Sequence, residues 1–508
     1  MASENKRIAK NTGFLYIRLV LVMLASLYMS RIVLKTLGVV DYGLYNVIGG
    51  VVTMLAFLNG CASSSTSRFL TFSLGKNTVY KYNDIFCIAF YIHFLLAILI
   101  VVVAETIGLW YIYNKMVFPP DRLNAVLWVY HISVLNILVS FTQVPYNASL
   151  ISHEKMDIYA YTGLYEAFAK LAVAYLLSLS PVDKLITYAI LLFGITVSLS
   201  FFYRWYCRKE FNERCRLHLF FNKDIFRKMI SYSGWDLIGN FSSVARSEGV
   251  NLILNLFCGP AVNAARAIAY QAEAALYQFT SNFLQASRPV IIKLYASREI
   301  DKMLNLLYDT GKFAFLLFSC LAIPISLESD TILKLWLGNP PFYASVFLSI
   351  ILVNYMVISL TNTINIGVHA TGDVKRLNIY AGSKIFLELP VIYILMKAGL
   401  QPYWSLIVLL LGTLLVIWID LWVLRKNIPE AKISQFFRKV VVVDCLIIAI
   451  PTFLCYLIHF YMQSGIFRLI LVCMVYWLSI IPFIYKWGLS IDIRQKIMAK
   501  LKSKLNYA

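Results

Sequence analysis

Charged side chains are sparse in this chain: Asp, Glu, Lys and Arg make up 14% of its 508 residues, against about 25% in an ordinary soluble domain. A soluble chain of this length needs far more polar surface to cover its core. The deficit excludes a water-exposed globular fold. Metal-ligand spacing is missing as well, because the six histidines are scattered and no His-Glu-x-x-His occurs. The nine cysteines lie mostly within apolar runs, with no Cys-x-x-Cys. In such places cysteine acts as a small hydrophobe, so neither a metal site nor a cofactor is expected. Acidic residues are the scarcer sign, 26 against 46 basic ones, for a net charge of +20. A basic balance is one footprint of a nucleic-acid binder. Here, however, Lys and Arg gather in short polar segments between apolar runs, as cytoplasmic loops do, and no nucleic-acid partner is expected.

What the chain does have is apolar length. Hydrophobic residues make up 60% of it, and a helix crossing the ~30 Å hydrocarbon core needs about 20 of them in a row. Reading from one polar break to the next gives fourteen spans: 12–35, 41–67, 84–112, 124–150, 158–179, 185–205, 231–257, 262–292, 308–327, 342–368, 377–397, 403–424, 440–460 and 466–486. The weakest are 41–67 and 262–292, rich in Gly, Ala, Ser, Thr and Asn, a composition suited to close helix contact or a cavity lining. The first run, from Phe14, is long and carries Arg18 and Arg31; it is expected to stay as a helix rather than be cleaved as a signal. Alternate loops hold roughly thirty Lys and Arg against six in the other set, which places both termini in the cytoplasm. No outer loop exceeds about fifteen residues, too few for a catalytic domain.

Sliding the sequence on itself by about 221 residues aligns landmarks across six spans. Leu37-Gly38 falls on Cys258-Gly259, Ser67-Arg68 on Arg288-Pro289, Ile158-Tyr159-Ala160 on Ile379-Tyr380-Ala381, and Pro181 on Pro402. Both halves enter the membrane from the same side, which makes this a parallel repeat. Transporters built from such repeats hold their substrate where the halves meet. The organisation expected is a six-helix bundle over 1–210, a second over 211–430, and two extra helices with a basic cytoplasmic tail over 431–508. The fold class is an all-α polytopic membrane protein.

A charge near the bilayer centre costs at least about 2.5–3.5 kcal/mol, so it faces protein or water and has a role. Glu166 and Lys170, like Lys384 and Glu388, are spaced i,i+4 and can pair along their own helices, while Arg31 near a span end can snorkel. Arg18, Asp236, Arg246, Glu248, Arg266 and Glu273 have no such local partner. At 100° per residue Arg246 and Glu248 point about 160° apart and do not pair with each other. A turn near Gly259–Pro260 would bring Glu273 to the depth of Arg246. Either those two form an interhelical salt bridge, or Arg246, Arg18 and Arg266 line a cavity that attracts an anion. Arginine suits phosphate because its fork makes two parallel hydrogen bonds.

The run NTGFLYIRLVLVMLASLYMSRIVLKTLGVVDYGLYNVIGGVVTMLAFLNG, above all LGVVDYGLYNVIGG with Gly38, Asp41, Tyr42, Gly43 and Tyr45, resembles the start of bacterial polysaccharide flippases. These are the Wzx-type O-antigen and capsule repeat-unit transporters of the multidrug/oligosaccharidyl-lipid/polysaccharide exporter superfamily (MATE-like). SYSGWDLIGNF and ASRPVIIKLYA in the second half are similar to that family too. The resemblance implies two six-helix bundles that alternate between inward- and outward-open states in the bacterial inner membrane. It implies a cargo of oligosaccharide linked by pyrophosphate to undecaprenol, carried to the outer leaflet for lipopolysaccharide, capsule or exopolysaccharide synthesis. Arg18, Arg246 and Arg266 would meet the pyrophosphate or sugar. A coupling ion, proton or sodium, would act at Asp236, Glu248 or Glu273, and the polysaccharide polymerase machinery would be a partner. The two extra helices would help form a groove for the lipid tail. Two alternatives stay open: a cation-coupled multidrug exporter of the same superfamily, which would favour a carboxylate-lined cavity, and a membrane glycosyltransferase or polysaccharide polymerase, which would want a sizeable extramembrane domain. The leading reading is not an enzyme.

Overall fold

A chain with this much apolar sequence has to satisfy its backbone within each segment, because lipid offers no hydrogen bonds, and the helix does so residue by residue. The computed structural model describes residues 2–55, 58–74, 81–153, 155–371 and 375–488, and no strand occurs among them. The helices are α1 (Ala2–Leu55), α2 (Leu58–Ser73), α3 (Tyr82–Val103), α4 (Leu109–Asn114), α5 (Leu123–Ser152), α6 (Met156–Leu179), α7 (Lys184–Phe211), α8 (Lys223–Cys258) and α9 (Pro260–Ala296). They continue with α10 (Ile300–Leu327), α11 (Ser329–Leu337), α12 (Ala344–Thr371), α13 (Lys375–Ser383), α14 (Ile385–Lys397), α15 (Tyr403–Asn427), α16 (Ile433–Phe436), α17 (Val442–Tyr461) and α18 (Ile466–Phe483).

Among the described residues each expected span falls essentially on helix. Spans 12–35 and 41–67 share α1, which breaks at Gly38, and the second of them resumes as α2. Span 84–112 runs from α3 through a π turn at Ala104–Gly108 into α4. The Ala104 carbonyl accepts the Leu109 amide across this widened turn, and Tyr130 Oη donates to the same oxygen at 2.6 Å. Span 377–397 is divided between α13 and α14. Among the described residues nine segments are both long and apolar enough to cross a membrane, which makes this a multi-pass membrane protein. The helices α8 and α9, at 36 and 37 residues, have the length but carry polar side chains. That excess of polarity is the first sign of a site.

The chain forms two compact units, residues 1–267 and 268–508. In the first, α5 packs against α1, α2, α3 and α7, and α8 packs on α1 and α2. A Cβ at Gly43 would overlap the Pro260 carbonyl oxygen, so glycine is what lets α1 lie this near the start of α9, and one at Gly50 would press on the Glu248 side chain of α8. In the second unit α10, α12 and α15 stack side by side, and the hairpin of α17 and α18 packs on α10.

Two ionic knots, neither anticipated from sequence, hold these arrangements. In the first unit Arg122, just before α5, donates Nε and Nη2 to the Asp41 carboxylate at 3.0 and 2.7 Å. Its Nη1 reaches Asp183 Oδ2 at 2.6 Å. Asp183 also caps α7, accepting from the Leu185 and Ile186 amides at 3.0 and 3.2 Å. Burial raises the Asp183 pKa, but Arg122 and those amides outweigh it and hold the carboxyl below its ordinary 3.8. In the second unit Glu328, fully buried between α10 and α11, receives Arg468 of α18 through Nε at 2.8 Å and Nη2 at 2.9 Å. His459 Nδ1 lies 2.9 Å from Glu328 Oε1, and Thr331 donates to Oε2 at 3.1 Å. A remaining guanidinium nitrogen donates to the His459 and Met462 carbonyls. One hydrogen bond, from Nη2, joins the two charges, and the close Nε approach adds Coulombic attraction to the buried pair.

Candidate functional site

The polar residues of α8 and the start of α9 form one connected cluster against α1. Asn263 donates to the Asn251 carbonyl at 2.7 Å and to its side-chain oxygen at 2.6 Å. Asn251 in turn donates to the Asn46 carbonyl at 3.3 Å and to Glu248 Oε2 at 3.4 Å. One turn further on, Asn255 pairs both ways with the Val117 backbone, accepting at 3.0 Å and donating at 3.3 Å. The asparagines thus stitch α8 to α1, to α9 and to the loop before α5. This accounts for the polar stripe that Glu248, Asn251 and Asn255 share.

Of the residues expected to meet substrate, Arg266 is buried, 5% exposed, and donates Nη2 to the Ser247 carbonyl at 2.9 Å. Its charge also acts on Glu248, which is half-buried beside Gly50. The structure therefore brings Glu248 and Arg266 together. Arg246, two residues before Glu248, is half-buried on the same helix. The backbones of Arg18 and Asp236 lie in α1 and α8, and their side chains are outside the described residues.

Glu273 belongs to the second unit and has its own surroundings there. It is 3% exposed, and its Oε1 has no hydrogen-bond partner among the described residues. Tyr355 of α12 meets its carboxyl. Tyr277, one turn along α9, stacks edge-on with Tyr355 at 5.1 Å and receives Asn362 Nδ2 at 2.6 Å. Two more carboxylates that sequence reading passed over, Asp420 of α15 and Asp444 of α17, are fully buried, and neither oxygen of either has a hydrogen-bond partner among the described residues. Lys384 and Lys312 are the cations that act on them. The signal available was plain enough: each is a lone acid inside an apolar run. No group of three His, Cys, Asp or Glu side chains with metal-binding geometry occurs among the described residues.

The expected i,i+4 pairing is present at Glu166 and Lys170, 2.6 Å apart. The pair lines a cavity of about 270 Å³ with Tyr45, Ser133, Asn136 and Thr196, inside the first unit.

No family model and no curated protein matches this chain. Solved structures do. A lipid II flippase, MurJ, in an inward closed conformation aligns with a TM-score of 0.69 over 92% of this chain and 97% of that one, at 15% identity. An inward-facing multidrug resistance MATE family transporter of the MOP superfamily aligns with a TM-score of 0.61 at 11% identity, covering 82% of this chain and 99% of that one. A MOP superfamily transporter from Pyrococcus furiosus, described as having a binding pocket of reverse polarity, gives 0.54 at 13% identity, with 83% and 95% covered. The chain has the fold these transporters share, the expected MATE-like arrangement of two helical bundles and two further C-terminal helices.

Proposed function

We propose that the protein is a flippase of the polysaccharide-exporter type within this superfamily, carrying undecaprenyl-pyrophosphate-linked oligosaccharide from the cytoplasmic to the outer leaflet. The observation that carries the reading is the placement of Arg246 and Arg266 on α8 and α9, two long helices whose polarity sets them apart from the apolar spans. A pyrophosphate supplies the negative charge that guanidinium forks bind in pairs. Arg246 and Arg266 are the two guanidinium groups assigned to the phosphate, with Arg266 also held by the Ser247 carbonyl. Fold resemblance alone does not identify cargo; the arginines are what favour a phosphorylated lipid over a drug cation. The membrane is the bacterial inner one, with both termini cytoplasmic, and the work is transport rather than covalent chemistry.

A second reading has its own observation. Glu273, Asp420 and Asp444 are buried carboxylates in the second unit, and a cation-coupled exporter would use such groups. In a flippase the same acids take up and release the coupling ion. One experiment separates the readings: Arg246→Ala abolishes surface polysaccharide export in cells at unchanged protein level, without altering efflux of a cationic dye. Normal export by that variant, or its loss from the membrane, removes Arg246 from the substrate path.

A further inference from the structure

The C-terminal end of α7 reads FFYRWYCRKEF, and the end of α15, its repeat counterpart, reads WIDLWVLRKNI. Both contain the pattern aromatic-x-x-x-Trp-x-x-Arg-Lys: Phe201, Trp205, Arg208 and Lys209 in the first unit, Trp418, Trp422, Arg425 and Lys426 in the second. The geometry repeats with the letters. Lys209 lies 5.1 Å from the Trp205 ring centre, and Lys426 lies 5.1 Å from that of Trp422.

The two stripes differ in what covers them. In the second unit Phe437, from the turn leading into α17, stacks on Trp418 at 4.4 Å, and Tyr380 packs edge-on against Trp422 at 5.4 Å. In the first unit no ring from another element stacks on Phe201 or Trp205 among the described residues, and each is somewhat more exposed than its counterpart, Trp418 at 56% and Trp422 at 39%. Phe201 and Trp205 are 68% and 55% exposed, and with Arg204, Arg208 and Lys209 they line a groove of about 510 Å³. Arg204 is held in place, donating to Thr142 Oγ1 at 2.8 Å and lying 6.0 Å from the Tyr146 ring centre. None of the three cations has a carboxylate partner among the described residues; Glu210 beside them is taken by Lys155 at 2.9 Å. From Phe201 to Lys209 the stripe rises about 12 Å, which grades from acyl-chain depth to headgroup depth.

We propose that this groove binds an anionic glycerophospholipid of the cytoplasmic leaflet. Its phosphodiester meets the Arg208 fork and the Lys209 ammonium, and its acyl chain lies along Trp205 and Phe201, where Phe437 lies in the other unit. Cationic clusters beside a span attract anionic headgroups, and the aromatic pair fixes the depth. The site is independent of the transported cargo.

Native mass spectrometry of the full-length protein, with phosphatidylglycerol and phosphatidylcholine supplied together, tests it. The wild type retains phosphatidylglycerol in preference, Arg208→Gln/Lys209→Gln lowers that retention at least about tenfold, and Arg425→Gln/Lys426→Gln leaves it unchanged. Because Arg208 and Lys209 are exposed, the first double variant folds as the wild type does, which its unfolding midpoint without lipid checks. Lys209→Glu alone provides a second, milder lesion with the same expected direction. Equal losses in both double variants would reduce the effect to general basic charge and overturn the site, as would no loss in either.

Discussion

Gly38 and Gly259, 221 positions apart, hold the same backbone conformation, φ 78° with ψ 170° at the first and φ 78° with ψ 176° at the second. This region of backbone space belongs almost entirely to glycine. Each glycine ends the opening helix of one half, so the repeat seen in the letters is also written in the dihedrals. Helix starts follow the same offset, Leu123 opening α5 and Ala344 opening α12. A Cβ at either glycine meets nothing within 4 Å, so substitution by alanine acts through backbone strain alone, about 1–3 kcal/mol. Gly43→Ala differs, because its methyl group meets the Pro260 carbonyl. Thermal unfolding in detergent is expected to rank Gly43→Ala below Gly38→Ala and Gly259→Ala, with the last two similar; the opposite order would mean α1 and the start of α9 do not approach as described.

The buried Glu328–Arg468 pair predicts an asymmetry. Arg468→Met leaves a carboxylate stranded and is expected to destabilise by about 3–5 kcal/mol, whereas Glu328→Gln/Arg468→Met recovers much of that loss. A double-mutant cycle on the unfolding midpoint measures the coupling, and additive effects would deny the contact.

Asp183 predicts a pH dependence. Its pKa in the folded protein lies below the unfolded 3.8, so its contact with Arg122 contributes fully above that value and is lost as pH falls through the folded value. Asp183→Asn keeps the helix cap and removes the charge. The gap in unfolding midpoint between wild type and this variant is expected to close as pH drops below 3.8; a gap that stays constant would assign the loss to capping.

For Glu166 and Lys170 the prediction concerns pairing. Lys170→Met leaves a lone acid within the membrane and is expected to lower the folded yield, while Glu166→Lys/Lys170→Glu restores it, less a few tenths of a kcal/mol for the reversed order along the helix. Fluorescence-detected size exclusion of detergent extracts reports the yield. A swap no better than the single change would show that the cavity needs the carboxylate itself.

Much of this fold was legible because membrane spans follow from apolar length, and the turn at Gly259 from one glycine beside one proline. The i,i+4 pair of Glu166 and Lys170 was legible because helical spacing is local. The knots were not. Arg122 and Lys115 look alike as outer-loop cations, and no local rule links Glu328 to a side chain 140 positions later. The charges of α8 were visible in the sequence, but the role of its asparagines was not. Asn251 and Asn255 bind backbone of α1 and of the loop before α5, and such partners leave no trace in side-chain patterning.

Leaflet transfer of a lipid-linked saccharide by the purified protein tests the central claim most directly. Liposomes are loaded with undecaprenyl-pyrophosphate oligosaccharide in both leaflets, and a membrane-impermeant glycosidase is added outside. With wild-type protein the inner pool is expected to become cleavable over minutes, and with Arg246→Ala it stays protected as in protein-free vesicles. Equal protection with and without wild-type protein would contradict the account.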